Sequence, residues 1–111
     1  MLFRSDEHPH IATSLNNLAE LYKATGNYST AESLFQRALE LRENALGDEH
    51  PDVATGLNNL AELYKATGNY NAAELLYQRS LKILEKALGT HHPFFSSTLN
   101  NSTRVKLISG G

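Results

Sequence analysis

Two adjacent amides, a carboxylate and an amine recur along this chain at a fixed distance. Asn16, Asn17, Glu20 and Lys23 return as Asn58, Asn59, Glu62 and Lys65, an offset of 42 residues. Thr13 returns as Thr55, and Asn100 and Asn101 stand one further period on. An Asn amide both donates and accepts, so it pairs with an extended peptide backbone whatever side chains that backbone carries. Asn is also a poor interior helix residue, about 0.5 kcal/mol worse than Ala. A pair in every period therefore needs a reason. Recognition of a partner's backbone is one. A ladder of Asn side chains between neighbouring helices is another, and inheritance through duplication with no role is a third.

Other chemistry is sparse. Glu20 with Lys23, and Glu62 with Lys65, have the three-residue spacing of a helix-surface ion pair, worth a few tenths of a kcal/mol (~0.3). The sharper reading is a charge preference, but one acid and one base per period favour neither sign. Five histidines are present. His8, His10, His50, His91 and His92 cluster at helix starts and lack the i,i+4 spacing of a helical zinc pair. Loop or capping roles are expected for them, with no metal and no cofactor. Nucleotide-binding glycine loops, a nucleophile elbow and a zinc-protease motif are all missing. Tyr22, Tyr28, Tyr64 and Tyr70 fall at packing positions rather than on a base-stacking platform. No catalytic residue is assigned, and the chain is not expected to be an enzyme.

The bulk properties agree. With 111 residues and a formal net charge of −2, the chain has one domain's length and no general attraction for nucleic acid or anionic membrane. It contains no cysteine, which excludes disulfides and thiolate metal sites. No apolar run approaches the roughly 18 residues needed to span a bilayer. The N-terminus turns acidic at Asp6 without a long apolar stretch, unlike a secretory signal. A cytoplasmic protein is the expectation.

The elements that must carry these residues follow from the same period. The stretch from Leu15 to Tyr28 returns unchanged from Leu57 to Tyr70, and about 30 of 42 positions match overall. A period of this size marks a stacked repeat array. Pro9 suits a first helical turn, with Asp6 and Glu7 near the positive helix end. Ile11, Leu15, Leu18, Ala19 and Tyr22 then predict the buried stripe of a first helix, A. Gly26 stops it, and Asn27 is expected to cap the next. Tyr28, Ala31, Leu34, Phe35, Ala38, Leu41, Ala45 and Leu46 form the stripe of helix B, ended by Gly47. The result is an αα-hairpin. Residues 48–89 repeat it, with Pro51 opening helix A and Gly68 closing it.

Differences between the copies mostly sort into conserved packing and drifting surface. Ser33/Leu75 and Arg42/Leu84 break that rule and make the second helix B more apolar, as if it met a further repeat or a partner. The third unit starts in register at His92-Pro93 and Leu99-Asn100-Asn101. It then departs, with Ser102, Thr103 and Arg104 in place of Leu60, Ala61 and Glu62. Phe94, Phe95 and Leu99 are placed to cover the second helix B, whereas Val105, Leu107 and Ile108 do not continue the stripe cleanly. The organisation expected is a lead-in at 1–5, repeats at 6–47 and 48–89, a degenerate or truncated third-repeat helix at 90–108, and a flexible tail at 109–111.

Leu18-Ala19-x-x-Tyr22, Gly26-x-Tyr28, Ala31, Phe35 and Ala38 resemble the tetratricopeptide repeat. Leu60-Ala61-x-x-Tyr64, Gly68-x-Tyr70, Ala73 and Tyr77 match it again, with Ser80 replacing the usual Ala. The ordinary repeat has 34 residues. The longer period, the His-Pro opening, Leu-Asn-Asn-Leu-Ala and the closing Ala-Leu-Gly look like the kinesin-light-chain variety. The resemblance implies an all-α, α-α superhelix with two full helix-turn-helix repeats and a partial third. It further implies a scaffold whose A helices line a groove for peptide segments of partner proteins. In such arrays the stripe of Thr13, Asn17, Glu20 and Ala24 faces the groove, with Asn16 and Lys23 beside it. Repeat two offers Thr55, Asn58, Asn59, Glu62 and Lys65, and the third unit Asn100 and Asn101. Asn17 and Asn59 match the groove position best, while Asn16 and Asn58 fit the ladder or simple exposure. The alternative is self-association through unfinished apolar ends, including Leu75, Leu84, Phe94 and Phe95, or a piece detached from a larger scaffolding or signalling repeat protein.

Overall fold

The computed structural model describes residues 8–109. The lead-in, with Asp6 and Glu7, and the final Gly110 and Gly111 lie outside the described residues. Five helices follow in order: α1 (His8–Ala24), α2 (Tyr28–Leu46), α3 (Pro51–Ala66), α4 (Tyr70–Ala87) and α5 (Pro93–Ser109). Each packs against the next, so α1 with α2 and α3 with α4 form the two hairpins, and α5 lies against α4. The third unit thus supplies a complete helix where the sequence pattern weakens.

The turns show why the chain reverses where it does. Gly26 has φ +83° and Gly68 φ +85°, a left-handed conformation that costs a side-chain-bearing residue about 1–2 kcal/mol. The amide of Asn27 then bonds the carbonyl of Tyr22, and that of Asn69 the carbonyl of Tyr64, both at 2.8 Å. These bonds close the helix ends in the Schellman manner. Asn27 occupies the N-cap position of α2, but its side chain makes no capping hydrogen bond, contrary to the expectation. Histidine does cap: His50 Nδ1 accepts from the Asp52 amide at 3.0 Å, and His92 Nδ1 from the Phe94 amide at 3.1 Å.

The core fills the space inside the hairpins and between them. Phe35 and Tyr77, one period apart, are fully buried, with Ala31, Ala38 and Ala73 allowing close helix approach. Ser80, at the position of Ala38, is buried and donates to the Ala54 carbonyl at 3.4 Å, which satisfies its hydroxyl. Gly56 permits a second close approach: a Cβ there would lie 3.0 Å from Leu39 Cδ1 of α2.

Several burial expectations are corrected. Leu18 is 42 % exposed rather than buried, because among the described residues no helix covers that side of α1 as α2 covers α3. Tyr28 and Leu99 are exposed too. Val105, expected off the stripe, is fully buried beside Ala73 and Tyr77. Leu84 is an internal core residue, with Phe94 and Phe95 of α5 packed on the same cluster, so its apolar character serves α5. Leu75 alone of the two apolar replacements stays open, at 72 % exposure.

Candidate functional site

The A helices α1, α3 and α5 carry the recurring amides, and the register of each helix decides their fate. Asn16 is buried against α2. With its amide oxygen turned to the guanidinium, it accepts from Arg42 Nη1 at 2.7 Å and Nη2 at 2.9 Å. The donors dictate that orientation. Burial pulls the Arg42 pKa down, and the charge of Asp52 opposes the shift. Asn58, one period on, has Leu84 where Asn16 has Arg42. Its Nδ2 donates instead to Thr98 Oγ1 of α5 at 2.8 Å, and its Oδ1 is buried without a partner. The A helices α3 and α5 are therefore joined by an Asn–Thr bond rather than by paired Asn side chains, and Asn16 of α1 is bound to α2 instead.

Asn17 is exposed, and Asn59 and Asn101 are half-buried. Among the described residues, none of these three amides makes a side-chain hydrogen bond that would hold it to the scaffold. Thr13 is exposed, and Thr55 is half-buried with its hydroxyl 3.5 Å from the Pro51 carbonyl. Asn100, by contrast with Asn16 and Asn58, is exposed.

The charged pairs form within each helix, Lys23 to Glu20 at 3.5 Å and Lys65 to Glu62 at 3.9 Å. They differ in one respect that the letters of the shared stretch conceal. Glu62 also accepts a hydrogen bond from the hydroxyl of Tyr77 in α4, whereas the residue facing Glu20 from α2 at that position is Phe35. Burial raises the Tyr77 pKa, and the bond to Glu62 and its charge raise it further. Tyr64 is raised likewise, first by burial and then by its bond to Glu32. Arg42, Thr98, Tyr77 and Glu32 were not singled out as partners of the amides and acids. The replacements Arg42/Leu84 and Phe35/Tyr77 were the signals available.

A surface cleft of about 610 Å³ lies elsewhere, between α4 and α5, lined by Glu74, Leu75, Gln78, Arg79, Lys82 and Lys106. It does not coincide with the amide-bearing stripe. Among the described residues no cluster of three metal-ligating side chains occurs, and no helix is long and apolar enough to cross a membrane.

Helix hairpins of this length, closed by left-handed glycines and packed on Ala and aromatic residues, have a match. The tetratricopeptide repeat pattern fits residues 10–86. The chain belongs to the tetratricopeptide repeat family. Among solved structures, BtubC (BKLC) from P. vanneervenii is similar at 31 % identity and a TM-score of 0.83, over 89 % of this chain and 40 % of that one. A kinesin light chain-like protein of Podosopora anserina, with nearly identical TPR-like repeats, matches at 29 % identity and a TM-score of 0.83. That match covers 97 % of this chain and 51 % of its own. A point variant of the same Podosopora anserina protein matches at 28 % identity and a TM-score of 0.82, over 94 % and 49 %. The chain thus spans about half, or less, of the length of these neighbours. A comparison with curated proteins gave no significant match. These tetratricopeptide repeats are of the kinesin-light-chain-like type, and the fold is the α-α superhelix. Repeats of this family mediate protein–protein interaction.

Proposed function

We propose that the chain binds an extended segment of a partner protein along its A helices, with Asn17 and Asn59 reading the partner's backbone. Asn101 extends that row, and Thr13, Thr55, Glu20, Glu62, Lys23 and Lys65 flank it. The observation that carries the reading is the contrast within the first two Asn pairs. Asn16 and Asn58 are engaged by Arg42 and Thr98, while Asn17 and Asn59 leave both amide groups to a ligand. An unengaged amide at the same place in successive helices suits a repeating backbone better than any single side chain. Asn16 and Asn58 act in this reading as supports of the helix faces rather than as contacts. The scaffold is non-enzymatic and works in the cytoplasm.

The experiment is a pair of substitutions, Asn17→Ala with Asn59→Ala, in a binding assay against partners captured by the wild-type chain. Loss of binding at an unchanged melting temperature is expected. Retained binding, or a melting temperature that falls in step with the loss, would count against backbone reading.

A further inference from the structure

Three differences between successive units meet at one place, the cleft of about 610 Å³ between α4 and α5. Leu75 stands where the first copy has Ser33, Lys82 where it has Glu40, and Lys106 where α3 has Tyr64. The other lining residues, Glu74, Gln78 and Arg79, are unchanged from Glu32, Gln36 and Arg37. Around α2 these six positions hold one cation against two carboxylates, a net −1; around α4 they hold three cations against one carboxylate, a net +2. Where Tyr64 gives Glu32 a neutral donor, Lys106 brings Glu74 a cation at 3.9 Å.

Leu75, Gln78, Arg79 and Lys82 lie at i, i+3, i+4 and i+7, one stripe of α4. All four are exposed, Leu75 at 72 %. The stripe is an outer surface rather than a face between repeats. Its counterparts Ser33, Gln36, Arg37 and Glu40 are exposed as well, although α3 and α4 follow them. Arg79 lies 2.5 Å from Glu43 of α2, but Lys82 has no ion pair among the described residues.

We propose that this cleft is a docking site for an acidic segment of a partner protein, in which an aliphatic side chain is flanked by carboxylates. The aliphatic group packs on Leu75, and the carboxylates meet Lys82, Arg79 and Lys106. Charge complementarity selects this occupant, because the cations surround one apolar side chain and a ligand must answer both. A nucleic acid or an anionic bilayer meets a chain of net charge −2, which does not attract an extended polyanion. A short acidic segment responds chiefly to charge within a Debye length, about 8 Å at physiological salt. The site lies on a B helix, off the amide row, and stands apart from backbone reading by Asn17 and Asn59.

The probe is a fluorescein-labelled heptapeptide, Glu-Asp-Glu-Leu-Asp-Glu-Glu, titrated with the whole chain and followed by anisotropy. Saturable binding is expected, weakening roughly fivefold or more as salt rises from about 50 to about 300 mM. The same peptide with Ser in place of its leucine should bind roughly five- to tenfold more weakly. Leu75→Ser and Lys82→Glu restore the first copy's letters at exposed positions, so the melting temperature should not change. Each should weaken binding by about fivefold or more, and the two together should remove it. No saturable binding, binding indifferent to salt, or binding that persists in the double variant overturns the proposal. A serine peptide that binds as tightly as the leucine peptide overturns it as well. Binding to phosphatidylserine vesicles with none to the peptide would give the face to a membrane and overturn it. Self-association that the double variant abolishes, again without peptide binding, would give it to a second copy with the same consequence.

Discussion

Arg42 donates two hydrogen bonds to Asn16, and the residues one period on from this pair are Leu84 and Asn58. One packing position thus carries a buried cation in the first hairpin and an aliphatic chain in the second. Arg42 keeps its charge where it is, because guanidinium pKa values start far above neutrality. Making the first hairpin like the second, by Arg42→Leu, leaves the buried Asn16 amide without its donors. The expected loss is about 1–3 kcal/mol, the cost of an unsatisfied buried polar group. Urea denaturation measures it. Combining Arg42→Leu with Asn16→Ala should then cost less than the two single changes together, by about 0.5–3 kcal/mol. Strict additivity would mean that the two side chains are not coupled.

Tyr77 and Tyr64 predict an alkaline dependence. Burial and a neighbouring carboxylate raise both phenols above the ordinary value of about 10. Above that value the unfolded chain loses these protons while the folded chain keeps them. The stabilisation is therefore fully present below about pH 10 and declines as pH rises beyond it. In Tyr77→Phe the decline between about pH 10 and 12 should be shallower than in the wild type. At neutral pH that substitution should cost no more than about 3 kcal/mol, the upper worth of a hydrogen bond to a charged group. Phe35 already shows that the ring alone fits this position. Chemical denaturation at a series of pH values separates the two effects.

Gly26 and Gly68 allow a cleaner backbone test. Nothing lies within 4 Å of where a Cβ would stand at either glycine, so a methyl group meets no atom. The penalty for Gly26→Ala or Gly68→Ala is conformational alone, about 1–2 kcal/mol each. The two costs should match within about 0.5 kcal/mol and add in the double variant, since the turns share no partners. Thermal unfolding of the three variants checks this.

The hairpins were legible because their signals are local. Gly26, Gly68, Pro51 and the spacing of Ala31, Phe35 and Ala38 act within a few residues of where they stand, and each read correctly for architecture. The misjudged residues share a different property: their environment is set by another helix. Leu18 and Leu60 sit in identical letters, yet one is open and the other enclosed, because among the described residues α2 lies in front of Leu60 and no helix lies in front of Leu18. Val105 has no stripe to join on α5 and is buried by Tyr77 of α4. The same limit applies to the candidate site. Which Asn of each pair is engaged depends on Arg42 and Thr98, 26 and 40 residues away along the chain. Spacing within the helix placed the two amides of each pair on adjoining stripes, but their partners came from tertiary packing.

The hydroxyl of Tyr77 has an effect that reaches past its own hydrogen bond. Glu20 and Glu62 have the same neighbours in sequence and the same lysine three residues on. Of the two, Glu62 is also tethered from the adjoining helix, whereas Glu20 is held by Lys23 of its own helix. A ligand group meeting Glu62 encounters a carboxylate whose torsional freedom has already been lost on folding, whereas one meeting Glu20 must restrain it at a further entropic cost. Two rungs with identical letters therefore differ in stiffness, the second set in place and the first adaptable, through a single oxygen atom outside the repeated stretch.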